Sequence, residues 1–171
     1  MKINKLTLFL LLNIFFDISA FGQSRVILAA SEINLILNAH NKERELVNSP
    51  RIIWDNQLAE YAYKWAENLA QNDNEIWHRT QTEKHYGENI SSFFGYDFTA
   101  NKGVDMWNEE KAHYTYSPID HISFKYTGHY TQVVWANTRR VGCGCAKSVS
   151  GSYFFVCNYD PPGNYVGEYP Y

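Results

Sequence analysis

A chain of 171 residues, 45% hydrophobic and 19% charged, has the make-up of one soluble domain. Its formal charge of −3, with no basic stripe, argues against nucleic acid as a partner. Three cysteines, all between positions 143 and 157, fit an oxidising compartment with one local bridge and one thiol left over.

The N-terminus reads as a targeting segment. Lys2 and Lys5 make a positive start, and Leu6 to Phe16 form an apolar run too short to span a bilayer. Ser19, Ala20 and Gly22 then supply the small residues of a cleavage site, so a signal peptide is expected over residues 1–22. An uncleaved anchor is the alternative. Cleavage would leave about 149 residues, enough for a substantial core, and would move the formal charge to −4. No long apolar run follows. The mature chain is therefore expected to be secreted rather than integral to a membrane: extracellular, or periplasmic or on the cell surface if the source is bacterial.

Ser31 can cap a first helix from Glu32, in which Ile33, Ile36, Leu37, His40, Arg44 and Val47 recur at helical spacing until Pro50. His40 and Arg44 lie four apart and share a face, and both read as buried groups bonded to nearby backbone. Asp55 caps a second helix with the stripe Leu58, Ala62, Trp65, Ala66 and Leu69. Residues 72–86 are polar and aperiodic, a loop that contains His78 and His85. Asn89-Ile90-Ser91 is formally a glycosylation sequon. Residues 91–98 read as an aromatic, glycine-broken linker, and Thr99 to Tyr114 as a third helix marked by Val104, Trp107 and Lys111.

Residues 115–127 form a connection long enough to be functional. Gly128 to Trp135 reads as a strand, because Tyr130, Val133, Val134 and Trp135 favour a pleated, half-buried surface. Two more strands, 139–146 and 152–159, flank a hairpin tip at Val149-Ser150-Gly151. A tip centred on Ser150 sets Cys143 opposite Cys157 and Cys145 opposite Phe155.

Two long motifs stand out, GHYTQVVW at 128–135 and CNYDPPGN at 157–164. With them go His40-Asn41-Lys42-Glu43-Arg44, Gly87-Glu88-Asn89-Ile90 and Trp107-Asn108-Glu109-Glu110. Together they resemble the signatures of the CAP superfamily, which comprises cysteine-rich secretory proteins, antigen 5 and pathogenesis-related proteins; the motifs are most similar to those of plant pathogenesis-related-1-like proteins. The resemblance runs from His40 to Tyr171 and departs from the plant members in its cysteines, since those usually carry six. It implies an α+β fold for residues 23–171, a three-layer α-β-α sandwich around a small, mainly antiparallel sheet. It also implies a bridge between Cys143 and Cys157, which leaves Cys145 free.

Carried over residue by residue, the resemblance places His78, Glu88, Glu110 and His129 in one central cleft. His85 competes with His78 for its place. Two imidazoles and two carboxylates admit three readings. The histidines could ligate a divalent ion, Zn or Mg, while the carboxylates orient them. The four could instead act as general acids and bases in a metal-dependent hydrolysis, or form a satisfied polar network. No HExxH pair and no G-x-S-x-G elbow occurs, and Cys145 has no base beside it.

The function that the resemblance implies is a secreted, non-enzymatic binder of a sterol or other apolar ligand, with a defence or host-interaction role. Ile119, Ile122, Phe124 and Tyr126 are the expected ligand contacts, since this connection is similar to the loop implicated in sterol binding by fungal members. A third expectation concerns residues 161–171, which look like the segment that plant members release as a signalling peptide. The alternative is that Tyr165, Tyr169 and Tyr171 pack the tail down.

Overall fold

The computed structural model describes residues 24–73, 75–80, 82–83, 85–95 and 98–171, so the signal peptide expected over 1–22 lies outside the described residues. Its centre is the hairpin of β4 (Arg140–Lys147) and β5 (Tyr153–Asp160). The pairing register sets Cys143 opposite Cys157 and Cys145 opposite Phe155, as the turn residues predicted. Cys143 and Cys157 are disulfide-bonded, and Cys145 is a buried free thiol. Strand β3 (Gly87–Phe93) pairs antiparallel with β5, and β1 (Ser24–Val26) antiparallel with β4. A two-residue strand, β2 (Ile53–Trp54), adds to β4 in parallel.

Side chains alternate along β4 and β5, and both faces are covered. Val141, Cys143, Cys145, Phe155, Cys157 and Tyr159 join one core with residues of α1 (Ala30–Leu46), α3 (Ala100–Glu109) and α4 (Phe124–Val133). Ala146, Phe154 and Val156 join the other with Ala62, Ala66 and Leu69 of α2 (Asn56–Asn72). This is the expected three-layer α-β-α sandwich. Helix α2 lies very close to β4 because Gly142 and Gly144 face it. A Cβ on Gly144 would lie 2.3 Å from the Cα of Tyr63, and one on Gly142 2.1 Å from the backbone nitrogen of Ala59. No helix among the described residues is long and apolar enough to cross a membrane.

Two side chains of α1 tie the layers together. Arg44, fully buried, donates to the carbonyls of Pro50, Val133, Trp135 and Thr138. Burial lowers its pKa only to about 10, so it stays charged at neutral pH. His40 bridges the Ile36 carbonyl at 2.8 Å and the Tyr159 hydroxyl at 2.9 Å. Asp55 caps α2 as expected, accepting from the amides of Gln57 and Leu58.

Several elements differ from their sequence reading. Residues 128–133 are helix, not strand, and Val134 follows it as a turn. Asp120 starts this helix: its carboxylate accepts from the amides of Ile122 and Ser123, and its carbonyl accepts from that of Phe124. Thr127, Tyr130, Thr131 and Val134 are buried at helical spacing, so packing overrides the β preference of the aromatic and branched residues. The connection before α4 therefore ends at Ser123, and the expected contacts Phe124 and Tyr126 sit on the helix. Residues 91–93 belong to β3 rather than to a linker. Helix α1 starts at Ala30, its first turn being closed by the Glu32 carboxylate on the Ala29 amide rather than by Ser31. Helix α3 stops at Glu109, and Glu110–His113 make a 3₁₀ turn. Asn89, the sequon residue, is buried, with its side chain donating to the His129 carbonyl and the Tyr159 hydroxyl.

Candidate functional site

A cleft of about 500 Å³ opens where the loop at 78–79, the start of β3, helix α4 and residues 162–164 meet. Three of the four expected tetrad residues, His78, Glu88 and His129, line it. Glu110 stands behind His129. Its Oε1 accepts from Nδ1 of that ring at 2.6 Å, and its Oε2 accepts from the backbone amides of His129 and Tyr130 at 2.9 and 3.1 Å. The His129 ring stacks on Trp107, with centroids 6.0 Å apart and planes 19° from parallel.

His78 is arranged the same way. Its Nδ1 lies 2.9 Å from Glu88 Oε1, and the Glu88 side chain is wholly out of solvent. The sequence reading missed what neutralises this carboxylate. Arg79 gives it a backbone amide and a guanidinium N–H, while that guanidinium lies 3.7 Å over the Tyr61 ring. Burial alone would raise the Glu88 pKa, but the His78 hydrogen bond and the Arg79 charge bring it below the usual carboxylate value. The only signal for this role was an arginine directly after His78 in a loop facing Tyr61 and Trp65.

A carboxylate is an acceptor only, so each Nδ1 is the donor of its pair and Nε2 of each ring points away from the carboxylate. Neither Nε2 is hydrogen-bonded to another group among the described residues. Both rings could offer Nε2 to a divalent ion, each oriented by the carboxylate behind it. Among the described residues no group of three or more His, Cys, Asp and Glu side chains could hold a metal, so solvent or ligand atoms would have to complete its coordination.

The remaining expected residues scatter. Phe124 lines the cleft, beside Lys125. Ile119 is buried, with its amide and carbonyl bonded to Glu168 and Gly167. Ile122 and Tyr126 are exposed and do not line the cleft. His85 faces Tyr61 at 6.5 Å rather than the cleft. The tail is bonded along its length. Tyr165 lies against Trp135, Tyr169 against Tyr116, and Tyr171 against Tyr114 and Tyr116.

Comparison with known proteins agrees with this architecture. The sequence profile of the cysteine-rich secretory protein family, CAP, matches residues 37–159. Pathogenesis-related protein 1A of Nicotiana tabacum is 44% identical over 135 residues, 79% of this chain and 78% of that protein. Pathogenesis-related leaf protein 4 of Solanum lycopersicum is 41% identical over 135 residues, 79% of this chain and 80% of that one. Among solved structures, the crystal structure of NaASP2 with Zn2+ is similar in fold, with a TM-score of 0.72 and 23% identity over 84% of this chain and 86% of that one. The profile match and the identity to the plant proteins lead to one conclusion: the chain belongs to the cysteine-rich secretory protein family, CAP.

Proposed function

We propose that this protein is an extracellular, non-enzymatic binding protein of plant pathogenesis-related-1 type, with a role in defence. Its cleft would take a divalent cation such as zinc on Nε2 of His78 and His129, and Phe124 would meet an apolar ligand such as a sterol. One observation carries the reading: two imidazoles, each with Nδ1 on a carboxylate, line a single cleft. The names of the plant relatives support the defence role, and the zinc that accompanies the NaASP2 structure supports the cation.

A bound cation would supply a positive centre able to fix an oxygen atom of a ligand. The chain's own residues do the rest. Glu88 and Glu110 hold the imidazole tautomers, Arg79 keeps Glu88 ionised, and Trp107 backs the His129 ring. Ligation needs deprotonated ligands, so affinity should fall in acid. Hydrolysis is the weaker reading, because both carboxylates are committed: Glu88 to Arg79 and His78, Glu110 to His129 and two amides. The bonds that the tail makes along its length support a structural role for residues 161–171 over a released peptide.

Calorimetry with zinc tests the cation. Wild type should bind, and His78→Ala and His129→Ala should each lose most of the affinity; unchanged affinity in both variants would refute the site. Labelled cholesterol tests the apolar ligand, with Phe124→Asp expected to abolish binding in a still-folded protein.

A further inference from the structure

We infer that Asn164 is a positioning residue of the cleft, whose amide straps the C-terminal segment across helix α4 and fixes the turn that presents His129. The role proposed for the cleft enters only the zinc arm of the test below.

The residues after β5 close over α4 in order. Pro161 accepts from the Thr138 hydroxyl at 2.9 Å, and the Gly163 amide donates to Gln132 Oε1 at 3.0 Å. Asn164 then uses both ends of its side chain. Nδ2 donates to the Gly128 carbonyl at 2.8 Å, and Oδ1 accepts from the Thr131 hydroxyl at 2.7 Å. Gly128 and Thr131 are three apart, one above the other on a helix, and His129 lies between them. One amide thus spans the turn that carries the imidazole.

The approach is close. A Cβ on Gly163 would lie 2.5 Å from the Trp135 ring, so glycine is needed for the strap to reach the helix. Asn164 itself has φ of +59°, a left-handed conformation that asparagine tolerates better than most residues. Pro162, Gly163 and Asn164 become a wall of the cleft as a result. Glu110 secures the same turn from the other side, through the His129 ring and two backbone amides. Farther along, Glu168 and Gly167 exchange backbone hydrogen bonds with Ile119 at 2.9 and 2.8 Å, which ties the strap to the loop leading into α4. The imidazole is thus positioned from two sides: Glu110 and Trp107 meet the ring itself, and Asn164 acts on the turn that carries it.

Asn164→Gly keeps the left-handed backbone and deletes both side-chain bonds. Asn164→Asp keeps the acceptor for Thr131 and loses the donor to Gly128. Long-range ¹H–¹⁵N NMR reads the rings of His78 and His129 separately, first without metal and then through a titration with zinc chloride. In Asn164→Gly the His129 ring signals should shift and broaden while those of His78 stay in place, and zinc affinity should fall about tenfold, as for other outer partners of a ligand. Asn164→Asp should lie between, and it decides the matter if the glycine variant does not fold. Unmoved His129 signals in both variants would overturn the inference. So would equal movement of both histidines, the mark of a general loss of structure. If wild type binds no zinc, the proposed cation site fails, and the ring signals still decide the role of Asn164.

Discussion

Replacing Arg79 by Met removes the guanidinium that pairs with Glu88. The Glu88 side chain is fully buried, and Arg79 exposes only 6% of its own. Breaking a buried pair from one side leaves an uncompensated charge, at a cost of about 3–5 kcal/mol. For a domain of this size that lowers Tm by roughly 10–15 °C. The pH dependence follows from the sign of the shift. In wild type the Glu88 pKa lies below its usual 4.5, so its contribution is present above that value and is lost as the pH falls through the folded-state value. In the variant, burial is no longer offset by the guanidinium, and Glu88 takes up its proton at a higher pH. The deficit should therefore be largest near neutral pH and shrink towards about pH 4. Thermal melts followed by circular dichroism at both ends of this range measure it. The double variant Arg79→Met/Glu88→Gln should regain more than half of the loss, since no buried charge remains. A single variant that melts with wild type at neutral pH, or whose deficit is the same in acid, would refute the reasoning.

Burial holds the His40 pKa at about 4, against 6.5 when unfolded, so its contribution is full above about 6.5 and is lost as the pH falls towards 4. Urea melts should show roughly 3 kcal/mol lost over that interval, and His40→Gln should flatten it; equal slopes would contradict this. Gly144→Ala forces a methyl against the α2 backbone and should cost about 1–3 kcal/mol, read as a lower urea midpoint. Alkylation of the unfolded, non-reduced protein should label Cys145 alone, while the native thiol resists because it is buried and burial raises its pKa; a Cys145–Cys157 peptide in mass mapping would contradict the pairing.

What could be read from the sequence was what local chemistry encodes. The Asp55 cap, the apolar stripe of α2 and the hairpin tip at 149–151 each act within a few residues, and all three appear where the pattern put them. The α4 segment was misread because Tyr130, Val133, Val134 and Trp135 carry a strand-like composition, while Asp120 and the buried faces on either side impose a helix. His40 and Arg44 were legible as a buried pair, but three of Arg44's partners, Val133, Trp135 and Thr138, lie about ninety residues away, a distance that no local pattern spans. The same limit applies at the cleft. His78, Glu88, Glu110 and His129 stand in recognisable motifs, whereas Arg79 and Asn164 act only because separate parts of the chain cross there. Ile119, expected to meet a ligand, is buried with its backbone bonded to the tail, contacts that no local pattern announces.

We propose above that Nε2 of His78 and Nε2 of His129 together take a divalent cation. The most direct measurement is anomalous diffraction on either side of the zinc absorption edge, from crystals of the mature protein grown with zinc. An anomalous peak is expected in the cleft, bonded to both Nε2 atoms, with Glu88 and Glu110 still on the Nδ1 side of each ring. Peaks confined to the exposed His85, His113 or His121, with the cleft free of anomalous density, would contradict it.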